Sequence, residues 1–295
     1  LFNRLNALEI ITKGYFQRLL VKNTFSQFER YLSNIIGRTQ PEVYLALSKQ
    51  DIIGVIIIHP INKRGSSWLI LPPILVKEDE RFTKRQISLT LLKYILNRKS
   101  IATRNWIIRT STQNEELIST SRELGFQPIK LYTRWKIGNK QKSIFEQSHR
   151  KISNDMKWEN LSNTNAYQLL KLIQSAESFN VRTLLDQQVN DLLSYKNKYS
   201  KVLLYINKGE KHAIAGIVES SYEDNSKVLQ IYRDIAWDKR IANAIIGILY
   251  KVSKEGIEFS IEVPTQDKEL NSLLLRSNLV AEDSLLVLGR SIWKR

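Results

Sequence analysis

Residues 112–117 read TQNEEL, and residues 265–270 read TQDKEL. A six-letter echo becomes a repeat only if other landmarks recur in the same order. Upstream, DIIGVIII at 51–58 matches HAIAGIVE at 212–219, with Gly54 opposite Gly216. QISLTLLKYIL from 86 matches RIANAIIGILY from 240, setting Ile87, Leu91 and Leu92 opposite Ile241, Ile245 and Ile246. Downstream, RELGFQP at 122–128 matches LRSNLVA at 275–281 when Gly125 is laid on Asn278. The offset drifts from 162 to 154 to 153, as loops of unequal length would make it. The expectation is two diverged copies of one domain, 1–140 and 154–295, joined by a polar, basic linker at 141–153.

Each copy, at roughly 140–155 residues, has a common domain size and can bury a core without disulfides or metals. The chain has no cysteine, which excludes disulfides, thiolate metal sites and a cysteine nucleophile. Three scattered histidines, His59, His149 and His212, argue against a zinc site. The longest apolar run, IIGVIIIHPI, is far short of a membrane span and reads as a buried strand. No signal peptide is visible, and the expected compartment is cytoplasmic or an equivalent reducing one such as a plastid stroma. The net charge of +16 is uneven: residues 1–150 carry 25 Lys and Arg against 11 Asp and Glu, the rest 20 against 18. Either the basic first copy meets an anionic partner or its charge is drift in a chain rich in Ile, Lys and Asn.

Hydrophobic periodicity places two helices before residue 37, then strands at VYLALS, IIGVIIIHPI and SSWLILPPILV. A helix at QISLTLLKYIL, a strand at NWIIRTS, a helix from QNEEL stopped by Gly125 and a strand at KLYTRWKI complete the first copy. The second copy opens with a strand at MKWENL and two helices, TNAYQLLKLIQSAESF and RTLLDQQVNDLLSYK. The same order follows: strands KVLLYIN, AIAGIVESS and VLQIYRDIAW, helix, strand, helix and a last hairpin ending LLVLGRSIW.

This order, with these landmarks, resembles the GNAT superfamily of acyl-CoA-dependent N-acyltransferases, over nearly the whole chain and twice. The resemblance implies an α+β fold of two tandem GNAT-like domains, each a mixed central sheet with helices on both faces. The family often carries an Asn, a small residue three on, a Tyr seven on, and Gly-Phe eleven and twelve on. Asn114, Leu117, Ser121, Gly125 and Phe126 hold those places: the Asn and Gly-Phe match, the small residue and the Tyr do not. Asp267, Leu270, Leu274, Asn278 and Leu279 fit more loosely. Gly54 and Gly216 fall where a family glycine lets a strand bulge.

The resemblance further implies acetyl-CoA or another acyl-CoA as co-substrate, an amine acceptor that the sequence does not name, and a loop whose backbone holds the pyrophosphate at a helix start. The family's loop reads Arg/Gln-x-x-Gly-x-Gly/Ala. The first copy aligns as Thr83-Lys84-Arg85-Gln86-Ile87-Ser88, with both glycines replaced. The second aligns as Trp237-Asp238-Lys239-Arg240-Ile241-Ala242 and keeps only the Ala. Lys77, Arg81, Lys84 and Arg85 cluster at the first loop, with Arg98, Lys99 and Arg104 after the helix. Cations at a helix start oppose the helix dipole unless an anion joins them, so Lys84, Arg85, Gln86, Ile87 and Ser88, with Asn114, form the expected cofactor set. A solvated basic helix start is the plainer reading.

For acid–base chemistry Ser121 stands at the Tyr position, and His59 is the nearest candidate base in the first copy. Asp234 and Glu262 offer carboxylates on the matching strands of the second. Strand-end or outward-facing residues would be the plainer reading of each. The leading expectation is an N-acyltransferase, most simply an N-acetyltransferase, with coenzyme A on the first copy and the second largely scaffold. The alternative is an inactive GNAT-like module for an anionic macromolecule, such as nucleic acid or an acidic protein, along Arg98, Arg104, Lys130 and Arg134 with Tyr132 and Trp135 stacking. Strand alternation leaves open that these aromatics are core.

Overall fold

The computed structural model describes residues 41–48, 51–76, 81–97, 103–137, 154–195, 197–220, 227–234, 238–253 and 259–291. The two opening helices, residues 138–153 including the linker, Lys77, Arg98 and Lys99 lie outside these residues. The chain forms two compact units. Unit 1 is Leu1–Lys130 with Thr183–Asp186 and Leu286–Arg295, and unit 2 is Leu131–Arg182 with Gln187–Leu285. Each is α+β, as the element order implies.

In unit 1 the strands β1 (Glu42–Ser48), β2 (Asp51–Pro60), β3 (Ser67–Ile70) and β5 (Asn105–Ser111) lie side by side in that order. The short β4 (Ile74–Leu75) pairs with β2. β1–β2 and β2–β3 are antiparallel and β3–β5 parallel. A parallel pair needs a crossover, here helix α1 (Lys84–Leu96); helix α2 (Glu115–Glu123) follows β5. One face of the sheet buries Ile56, Ile58, Trp68, Ile70, Trp106 and Ile108 against Ile87, Leu91, Leu92 and Ile95 of α1 and Leu117 of α2. The period-2 strand pattern meets the helical i, i+4 stripe there. The other face carries Ile52, Val55 and Ile57.

Unit 2 repeats the plan and adds the strand that precedes it. β7 (Met156–Asn160), β8 (Lys201–Asn207), β9 (Glu210–Ser220), β10 (Lys227–Arg233), β11 (Phe259–Pro264) and β6 (Gln127–Ile137) are neighbours in that order. Only β10–β11 is parallel among the paired registers, and its crossover is helix α6 (Lys239–Ser253). Helix α7 (Lys268–Arg276) follows β11. Helices α3 (Ala166–Ala176), α4 (Phe179–Leu185) and α5 (Val189–Leu192) lie between β7 and β8.

Three features differ from the sequence expectation. KLYTRWKI, read as the last strand of the first copy, pairs along β11 with Trp135 opposite Ile261 and belongs to unit 2 from Leu131 on. The expected final hairpin is one strand, β12 (Val280–Ser291), whose residues from Leu286 belong to unit 1 and lie next to β5. There Ser291 donates to Asn105 Oδ1 at 2.8 Å and Arg290 to the Leu124 carbonyl at 2.7 Å. The single helix expected over 182–196 is broken at Asp186, which has φ 45°.

That break sends Thr183–Asp186 into unit 1. Leu184 is buried there, so close to Gly289 that a Cβ on the glycine would stand 2.4 Å from Leu184 Cδ1. Asn62 donates to the carbonyls of Leu185 and Asp186, Ser66 to the Asp186 carboxylate at 2.6 Å, and Asn105 to the Thr183 carbonyl at 2.9 Å.

The bulges correct the repeat register. Ala46 pairs with Gly54 and Leu47 with Ile52, so Ile53 is the extra residue of β2. Leu203 pairs with Ala215 and Leu204 with Ala213, so Ile214 is the extra residue of β9. Ile53 therefore corresponds to Ile214, and Gly54 to Ala215 rather than Gly216. Gly54 faces Ile87 of α1, where a Cβ would come within 2.7 Å. Gly216 faces Leu169 of α3, on the opposite side of its sheet, at 2.3 Å. A one-residue slip reverses the face of a strand, and the two glycines answer two different close approaches.

Candidate functional site

Open sheets with parallel strands take ligands where those strands part at their carboxyl ends. Both units have such a place. In unit 1, β3 and β5 pair from Ser67–Asn105 to Ile70–Ile108. The chain then runs Leu71-Pro72-Pro73 to Ile74, which pairs with Val55. In unit 2, β10 and β11 pair as far as Gln230–Glu262. There Ile231 alone separates Gln230 from Tyr232, the counterpart of Ile74, since Ile231 pairs Ile217 and Tyr232 pairs Gly216. Leu71, whose N–H goes to the Ile57 carbonyl, is the counterpart of Gln230 opposite Val218, so two residues, Pro72 and Pro73, stand in unit 1 where Ile231 alone stands in unit 2. Neither Pro72 nor Pro73 has an N–H to donate.

The echo that opened the sequence is the helix start beside each parting point. Asn114 caps α2 by accepting from the Leu117 N–H at 3.1 Å, and Asp267 caps α7 by accepting from the Leu270 N–H at 3.1 Å. Both are short polar side chains suited to an N-cap. Asp267 does more. Arg233, at the end of β10, donates to its two oxygens at 2.8 and 2.7 Å and to Glu269 at 3.0 Å. This bidentate pair ties the end of β10 to the start of α7, within unit 2.

At the start of α1, Thr83 and Gln86 form a capping box. The Gln86 N–H goes to Thr83 Oγ1 at 3.2 Å, and the Thr83 N–H goes to Gln86 Oε1 at 2.8 Å. The chain thereby satisfies two donors that a glycine loop would leave for a phosphate. Lys84 and Arg85 are exposed, and the first turn has no acidic residue. Arg85 meets Glu123 at 2.7 Å with both side chains about half exposed, an exchangeable contact. Arg81 donates to Ser48 Oγ. Ile87 is core and Ser88 half-buried.

In unit 2 Arg240, which stands opposite Gln86, is matched internally: it donates to Asp238 at 2.9 Å and to Asp155 at 2.8 Å, while Lys239, opposite Arg85, is exposed. The side-chain and backbone hydrogen bonds from Arg240 hold the Asp238 carboxyl below its usual range.

The acid–base candidates are placed as follows. Ser121 is fully buried on α2, and among the described residues its Oγ finds no hydrogen-bond partner, as is true of Thr120 Oγ1 and Trp106 Nε1 in the same unit. His59 sits opposite Leu69 at the end of β2, and burial lowers its pKa from 6.5 to about 4. Asp234 is half-buried, its N–H bonded to the Ile214 carbonyl at 2.8 Å. Glu262 is 1% exposed and accepts from Arg134 at 3.0 Å and Gln230 at 3.2 Å; Gln230 in turn accepts from the Tyr232 hydroxyl at 2.9 Å. Glu262, Arg134 and Gln230 are cross-strand partners in register, so they form one polar row across β6, β11 and β10. Ser121, His59 and the α1 start thus belong to unit 1, Asp234 and Glu262 to unit 2.

The proposed binding stripe loses Arg134, Tyr132 and Trp135, whereas Arg104 is exposed, Lys130 is half-buried and Arg98 lies outside the described residues. Arg134 is in the buried pair, and Tyr132 and Trp135 are 8% and 4% exposed. Trp135 Nε1 donates to Asn271 Oδ1 at 2.9 Å. Among the described residues no group of three His, Cys, Asp or Glu could hold a metal, and no helix is long and apolar enough to cross a membrane.

No protein-family model and no curated protein sequence matches the chain. Solved structures do. A GCN5-related N-acetyltransferase from Sphaerobacter thermophilus matches at TM-score 0.54 and 8% identity, over 86% of this chain and 81% of that one. A tandem GNAT protein from the clavulanic acid biosynthesis pathway matches at TM-score 0.55 and 6% identity, over 88% and 85%. An acetyltransferase-like protein from Pyrococcus horikoshii matches at TM-score 0.51 and 11% identity, over 85% and 74%. Two units whose parallel strands part, each with a capped helix beside the gap, give this chain the fold of the GCN5-related N-acetyltransferases, in tandem.

Proposed function

We propose that the chain is an acyl-CoA-dependent N-acyltransferase whose unit 1 holds the coenzyme A thioester, with unit 2 as scaffold. The observation that carries this is the contrast between the two crevices. In unit 2 Arg233 and Arg240 are matched to carboxylates at hydrogen-bond distance. In unit 1 Lys84 and Arg85 stand exposed at a helix start that follows the neutral cap Thr83, where α6 follows Asp238, and the Arg85 contact with Glu123 is solvent-exposed. A phosphate there would relieve the unfavourable meeting of cations with the helix dipole. The Ser121 hydroxyl, which finds no partner among the described residues, supports the same unit, since a buried hydroxyl costs about 1–3 kcal/mol until some group satisfies it.

In the reaction, an amine nitrogen attacks the acyl carbonyl, the N–C bond forms, the C–S bond breaks, and the leaving thiolate takes a proton. Lys84 and Arg85 hold the phosphates in this reading. Pro72 and Pro73 cannot polarise the carbonyl, so backbone donors come from other positions of the crevice. His59, with a pKa near 4, is neutral and a weak base at neutral pH. The crevice segments 71–76 and 105–111 contain no carboxylate. The acceptor ammonium therefore loses its proton to solvent, and the rate rises with pH toward the pKa of the acceptor amine.

A second reading, a catalytically inactive module, is favoured by the self-satisfied capping box and the proline pair. One experiment separates them: calorimetric titration with coenzyme A. Binding that is lost in Lys84→Glu with Arg85→Glu supports the acyltransferase. No heat and no thermal shift at millimolar coenzyme A leaves the inactive module.

A further inference from the structure

We propose that the outer edge of β1 is an interface at which unit 1 pairs with unit 1 of a second copy of this chain, strand beside strand. Among the described residues, β2 is the one strand beside β1. The same edge of unit 2 is covered. The equivalent bulges at Ile53 and Ile214 lay residues 44–48 on residues 201–205, and those five all pair antiparallel with β7. Alternation fixes where the backbone of β1 points. The Leu71 N–H goes to the Ile57 carbonyl, so Ile57 turns its polar groups away from β1, and Ile56 and Ile58 turn theirs toward it. Their partners Tyr44 and Glu42 answer inward, which leaves Val43, Leu45 and Leu47 to direct theirs outward. The strand reads EVYLALS, without the Lys or Pro that commonly guards an edge.

A second copy is the occupant that these residues fit. An antiparallel pair related by a twofold axis at Leu45 uses the whole strand. Leu45 meets the partner's Leu45, Val43 the partner's Leu47, Tyr44 the partner's Ala46, and Glu42 the partner's Ser48. The three residues whose polar groups point outward then face one another, so the ladder closes. On the face shared with Ile52 and Ile57 every meeting is apolar to apolar, and on the α1 face the large Tyr44 lies beside a small alanine. The charges are complementary at both ends. Arg81 donates to Ser48 Oγ, so the pairing brings Glu42 of each copy to the partner's Arg81. Two exposed apolar side chains flank this edge, one on each face. Leu47 is 60% exposed, and Tyr94 is 64% exposed with its ring edge-on to Tyr44 at 5.6 Å. The second copy covers both. The interface uses none of the residues assigned to coenzyme A, so it stands or falls independently of that reading.

The test is sedimentation equilibrium of the whole chain. Twice the mass of one chain is expected at about 100 μM, giving way to the single mass on dilution. Leu47→Lys, which guards the edge with a charge, should weaken the dimer about tenfold. Glu42→Arg alone and Arg81→Glu alone set like charges together at both ends, and each should weaken it by about the same factor. An equimolar mixture of those two variants should recover the dimer, because unlike charges meet again at both ends. Recovery also shows that both variants fold, which a merely structural role for either residue does not explain. Three results would each overturn the proposal: a single mass at every concentration, a dimer that none of the three substitutions weakens, or a mixture that stays as dissociated as its components.

Discussion

Glu262 is the carboxylate that a sequence reader would choose as a base, and its surroundings predict a different consequence of removing it. Glu262→Gln keeps the shape but takes the counter-charge away from Arg134, 3.0 Å distant, with the two side chains 1% and 15% exposed. Breaking a buried pair from one side typically costs about 3–5 kcal/mol. Partial exposure of Arg134 places the expected cost near the lower end, about 3 kcal/mol. For a unit of this size that corresponds to a fall of roughly 6–12 °C in melting temperature. The double variant Arg134→Met with Glu262→Leu removes both charges and should recover most of the loss. A residue of about 1 kcal/mol should remain, because Gln230 loses its acceptor. Thermal unfolding followed by circular dichroism measures all three proteins. A Glu262→Gln protein that melts within a degree or two of the wild type would refute the reasoning, and loss of activity without loss of stability would return Glu262 to the chemistry.

Two further outcomes are expected. His59 is neutral in the folded chain down to about pH 4, whereas in the unfolded chain it takes up a proton near 6.5. Its contribution is therefore complete above pH 6.5 and is lost progressively as pH falls to about 4, by up to about 3 kcal/mol. His59→Gln should flatten that part of the stability profile; an unchanged profile would show that His59 is not the group responsible. Gly216→Ala would place a Cβ 2.3 Å from Leu169 Cδ1, which is fully buried. Denaturant titration should show a loss of about 1–3 kcal/mol from overpacking, and no loss would mean that Leu169 has room to turn.

The repeat was legible because local rules write it. Asn114 and Asp267 cap their helices through the same bond at the same place, and capping is a choice made within four residues. β5 and β8 appear where alternation put them, at Asn105–Ser111 and Lys201–Asn207. What failed was non-local. Nothing within KLYTRWKI says which sheet it joins; that is settled by β11, whose Glu262 lies 128 positions from Arg134. Glu262 could be found as a carboxylate on the right strand, but not as half of an ion pair. Gly54 and Gly216 face opposite ways because Gly216 lies one residue past the counterpart of Gly54, as the equivalent bulges at Ile53 and Ile214 show and matching letters does not. Pro72 and Pro73 were visible inside SSWLILPPILV, and an uninterrupted strand there ignored their missing donors.

The most direct test of the account is amide hydrogen exchange with and without coenzyme A, read at the two crossover helix starts. The account predicts slowed exchange in peptides covering residues 83–88 of unit 1 and no change in those covering 238–242 of unit 2. Protection at 238–242, or at neither, would contradict it.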